Sequence, residues 1–388
     1  MATRAAHVAA IGALAAGGAA LGFLAERSLV RRRLVPTLPP ADLPLGSFGG
    51  ETTTIDGPDG MRIVVETYGP EDAPQLVLAH GWICTGRVWH EIVTRLVDRV
   101  RIVTYDQPGH GRSSSPASGD YDLDLVGDTL SAVVREATRP GPLVVAGHSM
   151  GGMAVLNALR RDPALHARLA GVALLSTTSS AKAERLTLEI GIRAVARLER
   201  GIRRYVPPLR HPRVLGVTDR LTAATSNLSY LAARWTSVGP DADLRVVAFV
   251  QQMALESGSD VVLGLVEAVL GVDEDEALDL LADIPTAIMV GTDDRLTPMH
   301  LSVRMAERAG AQFHELTDVG HMSLLEAGEE ISAVLEQLVA GRAPAKSSPT
   351  SPESSGPSAS AGSPGSAGSP GSAGSSPGST GSPKRRAR

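Results

Sequence analysis

The chain carries one cysteine, Cys84, in 388 residues. A lone thiol excludes an internal disulfide framework and cannot build a thiolate metal site. The ten histidines are scattered without an H-E-x-x-H or comparable grouping, so no metal centre is expected. A G-x-G-x-x-G dinucleotide fingerprint is also missing, and no cofactor is expected. Lys+Arg 37 against Asp+Glu 42 leaves a net charge of −5, with no basic stripe in the body of the chain. Nucleic-acid binding therefore has no support.

The two ends stand apart. Residues 8–25 are charge-free and apolar, preceded by Arg4 and followed by Arg27 and Arg31-Arg32-Arg33. Their length is close to the roughly 20 residues that span a bilayer, but alanine and glycine dominate and weaken the drive to insert. Residues 1–33 are read as a membrane anchor with a basic flank, which would hold the body of the chain in the cytoplasm. A soluble or surface-lying helix and a cleaved signal are the alternatives, although no small-x-small site precedes Glu26. Residues 343–388 are mostly Ser, Gly, Pro and Ala, with Ser-Ala-Gly-Ser-Pro-Gly at Ser360 and again at Ser366 and a small basic patch, Lys384-Arg385-Arg386-Ala387-Arg388, at the end. Such a tail buries too little apolar surface to offset its ordering entropy and is expected to be disordered.

Between the ends, Gly147-His148-Ser149-Met150-Gly151 follows a buried-strand-type segment, 142–146, and precedes a helical one. A G-x-S-x-G so placed turns the chain tightly and exposes the serine oxygen beside a helix N-terminus that can stabilise an oxyanion. A serine hydroxyl needs a base, and the base needs an orienting acid. Residues 285–290 read as a strand leading into Gly291-Thr292-Asp293-Asp294-Arg295-Leu296-Thr297-Pro298. A further strand candidate, 313–319, ends in Gly320-His321-Met322. Serine, aspartate and histidine thus follow strands whose ends would converge on one edge of a parallel sheet. Helices are expected at 88–97, 123–137, 150–161, 299–308 and 323–339, and this alternation favours a mostly parallel sheet.

Leu76-Val77-Leu78-Ala79-His80-Gly81-Trp82, Tyr105-Asp106-Gln107-Pro108-Gly109-His110-Gly111-Arg112-Ser113 and the three motifs above occur in order. With them the chain resembles esterase- and lipase-like serine hydrolases of the α/β-hydrolase fold over roughly residues 47–340. The resemblance implies a mostly parallel twisted sheet flanked by helices, with a core at 47–177 and 284–340 and an inserted helical cap at 178–283. It implies a catalytic Ser149, His321 and Asp294, because the acid stands three residues after the glycine of its turn. Asp293 is the alternative acid, and the segment after strand 171–175 offers no carboxylate. It places the oxyanion hole on the backbone N–H groups of Trp82 and Met150. His80, His110 and Arg112 are expected to be structural and His148 to support the turn or line the pocket. Cys84 falls just after the oxyanion segment. Tyr230, Trp235, Phe249 and Met253 offer bulk for a pocket roof.

The expected function is cofactor-independent cleavage of carboxylic esters, with apolar acyl esters, thioesters or short acylglycerols as small-molecule substrates. Ser149 argues against epoxide hydrolases and haloalkane dehalogenases, which use an aspartate nucleophile on this fold. Two alternatives stay open. One is a carbon–carbon bond hydrolase or haloperoxidase-like perhydrolase with the same triad. The other is a non-catalytic binding protein on the same scaffold.

Overall fold

Five- to seven-residue segments, apolar in the middle of the sheet and polar at its edges, pair into one eight-stranded sheet. The computed structural model describes residues 45–181 and 227–341. The apolar run at 8–25, the Ser/Gly/Pro/Ala tail and the first part of the expected insertion lie outside the described residues. Among the described residues, no helix is long and apolar enough to cross a membrane.

The strands are β1 (Glu51–Asp56), β2 (Arg62–Tyr68), β3 (Gln75–Ala79), β4 (Arg101–Tyr105), β5 (Leu143–His148), β6 (Leu169–Leu175), β7 (Thr286–Gly291) and β8 (Gln312–Leu316). Their order is β1-β2-β4-β3-β5-β6-β7-β8. From β4 to β8 all neighbours are parallel, while β1 and β2 form an antiparallel edge. Strands β3, β5 and β7 are buried along their whole length, as central parallel strands must be when helices cover both faces.

Among the described residues, the α-helices of seven residues or more are α1 (His90–Leu96), α2 (Leu123–Ala137), α3 (Met150–Arg161), α4 (Asn227–Thr236), α5 (Leu244–Glu256), α6 (Ser259–Leu270), α7 (Met299–Ala309) and α8 (Gly328–Val339). Alternate strand residues serve opposite faces. Leu76, Leu78, Val144 and Ala146 meet Ile92 and Leu96 of α1 and Ile331 and Leu335 of α8. Val77, Ala79, Leu143 and Val145 meet Leu130 of α2, Val155 of α3 and Met305 of α7.

The described part of the expected insertion is helical. It closes on itself at a narrow neck: Ala181 N–H donates to Val272 C=O at 3.0 Å, and Glu274 N–H donates to Ser179 C=O at 2.7 Å. The buried Glu274 carboxylate then takes Asn157 Nδ2 at 2.7 Å and Arg160 Nε at 2.8 Å, fixing the neck to α3.

Two expected helices are each broken. The 88–97 candidate begins as a 3₁₀ turn, Gly86–Trp89, before α1 takes over. The 323–339 candidate divides into a short turn, Ser323–Glu326, and α8, because Ala327 leaves helical geometry at φ −124°. Gly328 follows, and a Cβ there would stand 2.5 Å from Glu91 Cβ, so α8 starts where it crosses α1 closely. The expected strand 313–319 ends early, at Leu316, ahead of a left-handed Asp318.

Candidate active site

Ser149 sits between β5 and α3 with φ 53° and ψ −121°, a region that non-glycine residues rarely occupy. Backbone packing imposes that strain. A Cβ on Gly147 would lie 2.4 Å from Gly151 C=O, and one on Gly151 would lie 2.0 Å from Ala79 C=O. Neither oxygen belongs to a side chain that could swing away. We expect Gly151→Ala to cost more than about 3 kcal/mol. A thermal melt should then show a fall of roughly 10 °C, and a shift below about 2 °C would refute the clash. Ser149 is held on both sides as well. Its N–H donates to Leu175 C=O at 3.0 Å, and its C=O accepts the Thr177 hydroxyl at 2.7 Å.

Three side chains from three strand ends meet here. Ser149 Oγ is 3.0 Å from His321 Nε2, and His321 Nδ1 is 2.9 Å from Asp294 Oδ2 and 3.1 Å from Oδ1. An ionised carboxylate only accepts, so Nδ1 carries the imidazole proton and Nε2 is free to take one from Ser149. The Asp294 carboxylate also accepts Leu296 N–H at 2.9 Å, Thr297 N–H at 2.8 Å and the Thr297 hydroxyl at 2.7 Å. Burial pushes this carboxyl up, but His321 and the Thr297 donors outweigh it and hold it below the ordinary carboxylate range. Asp293 is half-buried and makes no contact with the imidazole; its N–H donates to Val319 C=O at 2.9 Å.

The His80-Gly81-Trp82 segment lies against the nucleophile, since a Cβ on Gly81 would stand 3.0 Å from Ser149 Cβ. Met150 is the first residue of α3, where backbone N–H groups have no intrahelical acceptor. The neighbouring Ile83 adopts φ 55°, unusual for a β-branched residue, and its N–H donates to His110 Nε2 at 3.2 Å. His80 Nε2 accepts Gln107 N–H at 2.8 Å while its Nδ1 donates to Gly81 C=O at 2.8 Å. His148 Nε2 donates to the His321 carbonyl at 2.8 Å. Burial pushes His80 down to about 4 and both His110 and His148 to about 3, so these three stay neutral and act as fixed struts. The buried Cys84 thiol is pushed up to about 12, which leaves it unreactive.

Helix α6 brings Val261 and Leu265 into one apolar cluster with Met150 and Met153, and Trp82 packs against it. Of the expected roof residues, Tyr230, Phe249 and Met253 are buried in the cluster that holds Trp89 and Leu324, so they fasten α4 and α5 to the body. Trp235 departs from expectation: it is 65% exposed, with the Arg295 guanidinium stacked 5.6 Å from its ring. A separate cavity of about 420 Å³, lined by Thr178, Ser179, Asp275, Leu301 and Arg308, contains none of the three meeting side chains. Sequence reading overlooked Thr297 and Thr177. The D-x-x-T spacing of a local side-chain-to-backbone turn could have flagged Thr297. Thr177 had no local signal.

A family model described as the alpha/beta hydrolase family matches residues 76–334, more than half of the chain. A 111-residue stretch is 39% identical to the "Probable oxidoreductase EphD" of Mycobacterium tuberculosis, covering 28% of this chain and 19% of that protein. The chain thus spans about a fifth of that relative's length. The pimeloyl-[acyl-carrier protein] methyl ester esterase of Methylococcus capsulatus is 26% identical over 298 residues, 72% of this chain and 99% of that one. The esterase EaEST of Exiguobacterium antarcticum superposes with a TM-score of 0.58 at 19% identity, covering 76% of this chain and 100% of that one, a likeness of fold.

Proposed function

The chain belongs to the alpha/beta hydrolase family, and on that premise we propose that it is a cofactor-independent serine hydrolase cleaving carboxylic esters through Ser149, His321 and Asp294. The observation that carries the proposal is the relay of 3.0 Å and 2.9 Å from Ser149 Oγ through His321 to Asp294, with the nucleophile held at φ 53°.

In this reading His321 Nε2 takes the Ser149 proton as Oγ attacks the ester carbonyl. Asp294 holds the ring and stabilises the imidazolium. The Trp82 and Met150 amides receive the oxyanion in this reading, the first from the segment that lies against Ser149 and the second from the N-terminus of α3. His321 passes its proton to the leaving alkoxide. Water, activated the same way, then releases the acid from the acyl-enzyme. Each step needs only one base that shuttles one proton.

Residues 178–283 act in this reading as a cap over the core at 47–177 and 284–340. The apolar wall of Val261, Leu265, Met153 and Trp82 beside the nucleophile favours apolar acyl groups over charged ones. Fluorophosphonate labelling of Ser149, followed by turnover of p-nitrophenyl esters of graded chain length, tests both parts. We expect kcat/KM to rise about three- to fourfold per methylene until the wall is filled. Turnover of charged or polymeric substrates alone would sink the apolar-acyl reading. A folded chain with neither labelling nor turnover would point to a binding protein.

A further inference from the structure

We propose that Glu326 is a positioning residue that ties the loop between α4 and α5 to the His321 loop, and so sets where the base stands. The proposal rests on His321 acting as that base. One carboxylate grips two backbones: Glu326 Oε2 accepts Gly239 N–H at 2.7 Å, and Oε1 accepts Gly320 N–H at 3.2 Å.

The two loops are in main-chain contact around this carboxylate. A Cβ on Gly320 would lie 2.3 Å from the Val238 carbonyl carbon, and one on Gly239 would lie 2.2 Å from Asp318 C=O. On the far side of His321, Met322 N–H donates to Ser237 C=O at 2.8 Å. Residues 237–239 therefore straddle the imidazole-bearing residue, bonded to the position before it through Glu326 and to the position after it directly. The same loop is anchored to α4, because Arg234 donates to the carbonyls of Gly239, at 2.7 Å, and Pro240. Movement of α4 is thereby transmitted to His321, whose own carbonyl His148 holds from below.

The two amides are taken by different oxygens, and an ionised carboxylate is the side chain that offers two acceptor oxygens at this spacing. Burial pushes the Glu326 carboxyl up to about 7; the Gly239 and Gly320 amides pull it down, Asp294 raises it further and His321 opposes that. Protonation puts an O–H donor on one of the two oxygens, so the bridge is complete only above about pH 7. A glutamine of the same shape accepts from one amide and turns its own NH₂ against the other, leaving a donor facing a donor.

The test is Glu326→Gln in the full chain, read by steady-state kinetics with a p-nitrophenyl ester and by amide hydrogen exchange. We expect kcat to fall about 10- to 100-fold, as small misplacements of a base do, with KM changed less than about threefold. Peptides covering 237–240 and 318–322 should both exchange faster than in the wild type. Unchanged kcat in the folded variant overturns the proposal, as does faster exchange confined to one loop. Should the glutamine variant fail to fold, Glu326→Asp, which keeps the charge but reaches only one amide, should show the same kcat-against-KM split at smaller size; equal kcat would overturn it. A wild-type chain without turnover or labelling would defeat the hydrolase reading alone, and the exchange comparison would still decide the tether.

Discussion

Replacing Ser149 with alanine is expected to lower ester turnover by roughly 10⁴- to 10⁶-fold and to abolish fluorophosphonate labelling, with the melting temperature nearly unchanged. The size follows from what is lost. Without Oγ there is no covalent intermediate, and His321 Nε2, 3.0 Å from that oxygen, has nothing to deprotonate except water. The methyl group fits where the serine Cβ already stands, so the turn keeps its packing. His321→Ala should cost about as much, because a hydroxyl without its base is an alcohol in water. The double variant should be no worse than either single one, since the two groups act as a unit. Additive losses would mean that Ser149 and His321 contribute separately, and the relay would have to be abandoned.

The second large effect separates two adjacent carboxylates. Asp294→Asn should reduce kcat by roughly 10⁴-fold, while Asp293→Asn should stay within about twofold. Asp294 receives the Nδ1–H of His321 at 2.9 Å and three donors from Leu296 and Thr297. An amide at that position turns an NH₂ toward one of these donors or toward the ring. If it meets Nδ1, it favours the tautomer with the proton on Nε2, which cannot accept from Ser149. The low-lying carboxyl makes the same point, as Asp294 is ionised whenever the neutral imidazole needs it. Kinetics of the two asparagine variants at neutral pH decide the matter. A larger loss at Asp293 would transfer the acid role to the half-buried neighbour.

Much of this site was legible because its signals are local. Helices α2 and α3 begin and end where apolar periodicity and flanking residues put them, at Leu123–Ala137 and Met150–Arg161. Asp122 caps the first by accepting Leu125 N–H at 2.7 Å. Ser149, Asp294 and His321 each follow a strand that could be recognised, so their meeting at one sheet edge followed from topology. What escaped notice depends on contacts distant in sequence. Nothing near Gly328 announces that α1 will pass close enough to break a helix there. Nothing near Glu326 announces an amide 87 residues away. Ile83 gave no hint of its left-handed backbone, which is maintained by a histidine 27 positions on. The outward Trp235 shows the same limit from the other side: apolar bulk was readable, but its direction was not.

The neck between Ser179 and Glu274 has a bearing on how this chain can change. Because both ends of the interval are stitched together and pinned to α3 through Glu274, the sheet feels a fixed gap whatever length of chain runs between them. Lengthening a loop whose ends are already joined adds closure entropy only logarithmically, about 0.6 kcal/mol per doubling. The interval is therefore a replaceable cassette. Graft in another helical insertion, and the seam at residues 237–239 has to be rebuilt for the histidine to find its place, together with the apolar contacts that α4, α5 and α6 make with the body.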